Sequence, residues 1–278
     1  MIGIDVSTHQ GVIDWEKVKG AGIEFAMIRA GYGQNNIDKK FIHNISECNR
    51  LGIPCGAYWF SYALNEEMAR YEAKYCLDAV KPYKLEFPIA FDLEYDSIDY
   101  MKKKNVVATK FVASSFAKAF CSEIEKAGYY ALNYCNQDYA NRYFEDEVKQ
   151  KYGKWLAAWT GKAQPPMECQ IWQYSNCGTV AGINGRVDLD RSYVNFPQII
   201  KERGLNGLKN EVEQNKNVEI NAKINAEIIE LAQKETWYTN ALAWGVENGI
   251  TDGINPESGA TKAQIITMLK RYHEKFEK

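Results

Sequence analysis

Long apolar runs are missing from this 278-residue chain. No stretch approaches the roughly 20 apolar residues that a membrane-spanning helix needs, so none is expected. An excess of one charge is missing too. Lys and Arg number 34 against 36 Asp and Glu, the net charge is −2, and no basic cluster marks a nucleic-acid-binding face. There is no Gly-x-Gly-x-x-Gly after an apolar run and no Gly-Lys-Ser/Thr loop. Nucleotide binding therefore lacks its markers, and no cofactor is expected. The seven cysteines are odd in number and include no Cys-x-x-Cys. Most sit in apolar stretches, so buried free thiols are expected rather than a disulfide framework or a zinc site. Of the three histidines, His43 and His273 have no acidic or nucleophilic companion by spacing, so a Ser/His/Asp set has no support. His9 lies near Asp5 and reads as a structural hydrogen-bonding group at a strand end. Residues 1–10 show no basic segment, apolar core or cleavage site of a signal peptide, so synthesis and folding in a cytoplasm are expected.

What is present is alternation. Short apolar runs at residues 2–6, 25–30, 54–60, 87–93, 130–135, 155–159, 169–174 and 186–189 read as strands. Stretches with helical spacing separate them at 14–20, 41–51, 66–80 and 106–127, several closed by glycine. This pattern predicts an α/β fold with a parallel sheet and crossover helices. Eight strands within the first 190 residues or so suggest a small (β/α)8-like barrel whose last helices are shortened or missing. An open doubly wound sheet is the competing arrangement.

The run around Phe91-Asp-Leu-Glu94 organises the site. Side chains at i and i+2 of a strand point the same way, so Asp92 and Glu94 share a face with Cα atoms about 6.6 Å apart. Like charges so placed raise at least one pKa, which keeps one acid protonated beside an ionised partner. The plainer alternative is that both solvate a strand end. Barrel enzymes carry their chemistry at the C-terminal strand ends. Read there, the chain offers Asp5, Tyr58 and Tyr62, Asp92 and Glu94, Tyr134, Trp159, Trp172 and Gln173, and Asp188. In a barrel the first and last strands are neighbours, so Asp5 and Asp188 should approach each other. Four acids and an aromatic wall suit a carbohydrate; core packing is the alternative for the aromatics. A metal site is the other use of four acids; no histidine joins them by spacing, so no metal is expected.

Gly3-Ile-Asp5-Val-Ser-Thr-His-Gln-Gly11 with Asp14-Trp15, the run at 25–30, Phe91-Asp-Leu-Glu94, and Ile171-Trp-Gln-Tyr-Ser175 before Val187-Asp188-Leu-Asp190 together resemble the family 25 glycoside hydrolases, the N-acetylmuramidase lysozymes often found as phage endolysins. The resemblance covers roughly residues 1–200. It implies a flattened, irregular barrel and hydrolysis of the β-1,4 bond between N-acetylmuramic acid and N-acetylglucosamine in bacterial peptidoglycan. It further implies Glu94 as general acid, Asp92 as its partner carboxylate, and Asp5 and Asp188 as the remaining acids. Two carboxylates on one strand cannot easily flank a sugar ring in the usual pairwise geometry. Assistance by the substrate's 2-acetamido group, with Asp92 stabilising the charged ring and with retention, is the expected mechanism. A non-catalytic wall-binding protein and a chitin-cleaving glycosidase are the alternatives. Wall chemistry without a signal peptide implies action after release from a host bacterium's cytoplasm.

Composition changes near residue 204, which divides the chain into a barrel (1–203), a helical linker (204–235) and a small all-α module (236–278). The linker spaces Leu208, Val212, Ile220, Ile224, Ile228 and Leu231 as an amphipathic helix or two. The module reads as a helix, a glycine-rich turn and a helix opened by Thr261 as N-cap. It resembles a single S-layer homology motif, which implies a secondary cell-wall polymer as partner. One copy cannot readily bury its own apolar face, so a homo-oligomer is expected. Residues 204–278 hold 9 Lys and Arg against 11 Asp and Glu, so attraction of a basic tail to an anionic wall is excluded as the targeting principle.

Overall fold

A computed structural model describes residues 1–208, 239–253 and 260–276. The chain separates into two compact units, Met1–Glu211 and Val212–Lys278. In the first, nine strands form one sheet: β1 (Ile2–Val6), β2 (Phe25–Tyr32), β3 (Asn36–Ile37), β4 (Cys55–Phe60), β5 (Ile89–Asp92), β6 (Ala131–Asn136), β7 (Trp155–Ala157), β8 (Ile171–Gly178) and β9 (Val187–Ser192). The order is β1-β9-β8-β7-β6-β5-β4-β2-β3, and β1 also pairs with β2. Eight strands thus close into a barrel, and β3 hangs on the rim of β2 as a short antiparallel partner.

Two features depart from the sequence expectation. The strands are not all parallel: β9 runs antiparallel to both β8 and β1. A parallel return needs a crossover of a dozen or more residues, and only residues 179–186 separate β8 from β9. The helix expected at 106–127 is present but shorter, and a further helix that was not expected precedes it. Helices α1 (Trp15–Gly20), α2 (Phe41–Leu51) and α3 (Glu66–Val80) precede α4 (Tyr95–Lys103), which follows β5 directly, and α5 (Lys110–Lys126) starts later than expected. The Thr109 side chain caps α5 by accepting from the Val112 N–H at 3.2 Å, which fixes that later start. Helices α6 (Gln137–Arg142) and α7 (Asp146–Lys151) are six residues each, and no helix joins β7 to β8.

Strand alternation sorts the core. Ile4, Ala26, Ala57, Phe91 and Cys135 face outward into the helix layer. Phe25, Met27, Ala90, Leu132 and Trp155 face the barrel interior. Phe25 and Phe87 stack at 4.4 Å, and Phe196 of α8 (Phe196–Glu202) packs on Phe87, so aromatics fill the interior away from the mouth. Gly3 is required here, because a Cβ at this position would lie 2.4 Å from the Phe25 ring. Asn206 ties the chain after α8 to the barrel, donating to the carbonyls of Leu85 and Phe87 and accepting from the Tyr130 N–H. Cys48, Cys55, Cys76, Cys121, Cys135 and Cys169 are buried free thiols, and Cys177 is exposed and free.

The linker helix expected at 204–235 falls almost wholly outside the described residues. In the second unit, helices Thr239–Glu247 and Lys262–Phe276 are described. Thr261 opens the latter, its hydroxyl accepting from the Gln264 N–H at 3.2 Å. Among the described residues no helix is long and apolar enough to cross a membrane.

Candidate active site

The mouth of the barrel encloses a cavity of about 400 Å³. Alternation explains which side chains reach it. Asp5 shares the inner face of β1 with Gly3, and Asp92 that of β5 with Ala90. Tyr58, Tyr134 and Gln173 arrive in the same way on β4, β6 and β8. Asp188 is the second residue of β9. Because β9 is antiparallel, its start lies at the mouth, and Asp188 pairs in register with Asp5. The β5 strand ends at Asp92, Leu93 turns outward into the apolar layer, and Glu94 returns to the cavity as the residue that caps α4. There its N–H donates to the Ser97 hydroxyl at 3.1 Å. The structure thus brings Asp5, Asp92, Glu94 and Asp188 to one cavity.

Burial and mutual repulsion govern their ionisation. Desolvation, then the nearby Glu94, push Asp92 well above the ordinary carboxylate range, against the pull of Arg29. Desolvation, then Asp188 and Asp96, raise Glu94 to about 7, again against Arg29. Desolvation raises Asp188 to about 6. Asp5 is raised by burial, then by Asp190 and Asp188. The Asp92–Glu94 pair therefore resists double ionisation and keeps a proton near neutral pH. Asp92 Oδ1 is buried and has no hydrogen-bond partner among the described residues.

A polar chain fixes the opposite wall. Gln173 Nε2 donates to Asp5 Oδ2 at 2.7 Å, while Gln173 Oε1 accepts from the Trp159 indole at 3.1 Å and from the Tyr134 hydroxyl at 3.4 Å. Trp159 is half exposed and lies at the rim. Among the described residues no group of three or more His, Cys, Asp or Glu side chains is placed to hold a metal ion.

Two residues expected in the binding wall lie elsewhere. Trp172 is buried in a cluster with Leu156 and Ala158, and its indole donates to the Ala158 carbonyl at 2.9 Å. Adjacent strand residues face opposite sides, so with Gln173 turned inward Trp172 must turn out. Tyr62 does not line the acid cavity; it lines a separate cleft beside it. The sequence reading missed Asp190, Arg29, Phe60 and Trp155. Asp190 lies two residues beyond Asp188 on the same face of β9, wholly buried, accepting from the Trp155 indole at 2.7 Å; burial raises it to about 7. Arg29 follows Phe25 and Met27 along the inner face of β2, and Asp38 holds it at 2.7 Å. Period-2 spacing could have found both. His9, read as a structural group, lines the cavity with an exposed side chain.

Another missed residue had no sequence signal. Glu72 of α3 is fully buried. Its carboxylate accepts from the Ser61 hydroxyl at 2.6 Å and from the Tyr62 N–H at 2.9 Å, and the Ser61 N–H donates to the Asp92 carbonyl at 2.8 Å. Glu72 thus anchors the segment that leaves β4 beside Asp92.

The model of glycosyl hydrolases family 25 matches residues 4–183. The autolytic lysozyme of Clostridium acetobutylicum is 27% identical over 197 residues, covering 68% of this chain and 55% of that protein. The modular autolysin LytC from Streptococcus pneumoniae, solved in complex with a synthetic peptidoglycan ligand, superposes with a TM-score of 0.60 at 30% identity, over 68% of this chain and 46% of that one. A family 25 glycosyl hydrolase from Bacillus anthracis superposes with a TM-score of 0.60 at 26% identity, over 70% of this chain and 89% of that one. The chain spans about half the length of the first two of these relatives. A family model matched across more than half of the chain, on a closed eight-stranded barrel with its acids at the mouth, places this chain in glycosyl hydrolases family 25.

Proposed function

We propose that this chain hydrolyses the β-1,4 bond between N-acetylmuramic acid and N-acetylglucosamine in peptidoglycan. The observation that carries the reading is the pair of buried, proton-sharing acids at the end of β5. Glu94 keeps a proton to about pH 7, and Asp92 holds a buried, unpartnered Oδ1 beside it. Glu94 gives its proton to the leaving glycosidic oxygen. The acetamido carbonyl oxygen of the same sugar attacks the anomeric carbon, and Asp92 Oδ1 accepts the acetamido N–H, which stabilises the positive charge that develops. Glu94, now ionised, takes a proton from the water that opens the intermediate, and configuration is retained. Asp5 and Asp188 line the site around the developing charge. Tyr58, Tyr134 and Trp159 supply ring faces to the sugars.

Mass spectrometry of digested peptidoglycan tests the bond: new reducing ends on muramic acid are expected, and new ends on glucosamine overturn the assignment. The first-formed anomer tests the mechanism, with β expected and α requiring direct attack by water. Glu94→Gln should abolish lysis and keep wall binding; undiminished lysis removes Glu94 from its role. We also propose that the C-terminal unit binds a secondary wall polymer or associates with itself. Trp244, Ile266 and Leu269, exposed apolar side chains on its two described helices, support that reading.

A further inference from the structure

Beside the acid cavity lies a second cleft of about 560 Å³ that shares no lining residue with it. Its wall is aromatic. Tyr62 packs edge-on against Tyr32 at 6.4 Å and against Tyr100 at 5.2 Å. One side of the cleft carries two exposed acids. Asp96 and Asp99 stand three residues apart on α4, hence on one helix face, and both line the cleft. Neither side chain forms an ion pair or hydrogen bond with another described residue, and with Lys103 the lining carries one net negative charge. The start of a helix favours an acid at Asp96, but Asp99 lies beyond the first turn, where that explanation fades.

The two depressions are neighbours, with side chains of one packed on those of the other. Tyr62 of the cleft packs on Phe60 of the acid cavity at 5.1 Å. Arg29 of the acid cavity sits 5.6 Å from the ring centroid of Tyr32 in the cleft. Asp96 follows Glu94 by two residues and is among the charges that act on it. The tyrosine wall is compatible with cations: Arg29 lies on Tyr32, and Lys104 lies 5.7 Å from the centroid of Tyr100. Tyr62, between them, has no basic partner of this kind among the described residues. Its position is fixed from behind, since its N–H is held by Glu72.

Unpaired carboxylates beside tyrosine faces match an ammonium group, which gains from both the ring quadrupole and the ion pair. In a neutral sugar site the two carboxylates would have no such partner. We infer that this cleft is a specificity subsite for a primary amine carried by the substrate, namely the side-chain ammonium of a peptide attached to the glycan. The inference rests on the peptidoglycan reading above and names which substituted form of that substrate is preferred.

The test uses two synthetic muramyl disaccharide-peptides that differ only in whether the terminal side-chain amine is free or acetylated. Their affinities are measured by calorimetry on the full chain carrying Glu94→Gln, so that neither is consumed. The free amine should bind about tenfold more tightly, the combined scale of one cation–π contact and one exposed ion pair. Adding Asp99→Asn or Tyr62→Leu should cut the preference to about threefold, each substitution removing one of those contacts. Asp99 is exposed, so its variant should unfold at the parent temperature. Equal affinities for the two ligands, or a preference undiminished by Asp99→Asn, overturn the inference. A chain that cleaves peptidoglycan without an amine preference loses the cleft and keeps the muramidase. One that shows the preference without cleavage does the reverse.

Discussion

Replacing Glu72 tests how a buried acid without a facing cation is tolerated behind the site. Its carboxyl ionises near 7 rather than 4.5 because burial outweighs the bonds from Ser61 and Tyr62 that favour the charged form. The folded protein therefore binds the Glu72 proton more tightly than the unfolded chain. Stability from this residue is fully present below the unfolded value of 4.5, falls as pH rises toward 7, and is flat above. The difference corresponds to a loss on the order of 3 kcal/mol across that window. Glu72→Gln removes the titration. Its single carbonyl can take the Tyr62 N–H and its amide can meet the Ser61 oxygen, which already accepts from the Ala63 N–H at 3.2 Å. The substitution should cost about 1 kcal/mol at pH 4.5, the scale of one compromised hydrogen bond. At pH 8 it should be neutral or stabilising, because the penalty for burying a charge is gone. Urea unfolding followed by tryptophan fluorescence, for both proteins at pH 4.5, 6 and 8, gives the change in their difference. The other raised carboxyls of the barrel are common to both proteins and cancel. A difference between the two proteins that stays constant with pH would refute the reasoning. Glu72→Leu is the contrast: it strands the Tyr62 N–H and the Ser61 hydroxyl and should cost about 1–3 kcal/mol for each group at every pH.

The alkaline limb of the activity profile should fall through about pH 7, because Glu94 must be protonated to act and ionises there. Asp188 is the largest charge holding Glu94 up, so Asp188→Asn should move that limb to lower pH, read from wall-turbidity rates across pH; an unmoved limb refutes the coupling. Gly3→Ala drives a methyl into Phe25, which is pinned against Phe87. It should cost about 1–3 kcal/mol in thermal unfolding, and an unchanged melting temperature refutes the close packing.

Much of this site could be read before any coordinates. Extended backbone repeats every two residues, and it stays extended past the end of β5 to Glu94, so Asp92 and Glu94 share a side. The same rule puts Arg29 with Phe25 and Met27, puts Asp190 with Asp188, and forbids Trp172 and Gln173 from lining one cavity. Ring closure required that the first and last strands meet; that Asp188, at the start of β9, then lies beside Asp5 depends on β9 running antiparallel. What local pattern cannot carry is direction and distance. The reversal of β9 follows from the few residues that precede it, and it places Asp188 at the mouth by the strand's start instead of its end.

Glu72 shows the limit most clearly. By sequence it is one more acid in a helix rich in them, beside Glu66 and Glu67. Only the packing of α3 against the segment leaving β4 strips it of water and gives it Ser61 and Tyr62. The tyrosine cleft has the same origin, since Tyr32, Tyr62 and Tyr100 come from three segments with no shared period. The sequence by itself determined which residues of each strand share a face, because that depends on backbone geometry a few residues long. The tertiary structure alone decided which faces from distant segments meet and how much water they exclude, because desolvation and contact are set by everything packed around a side chain.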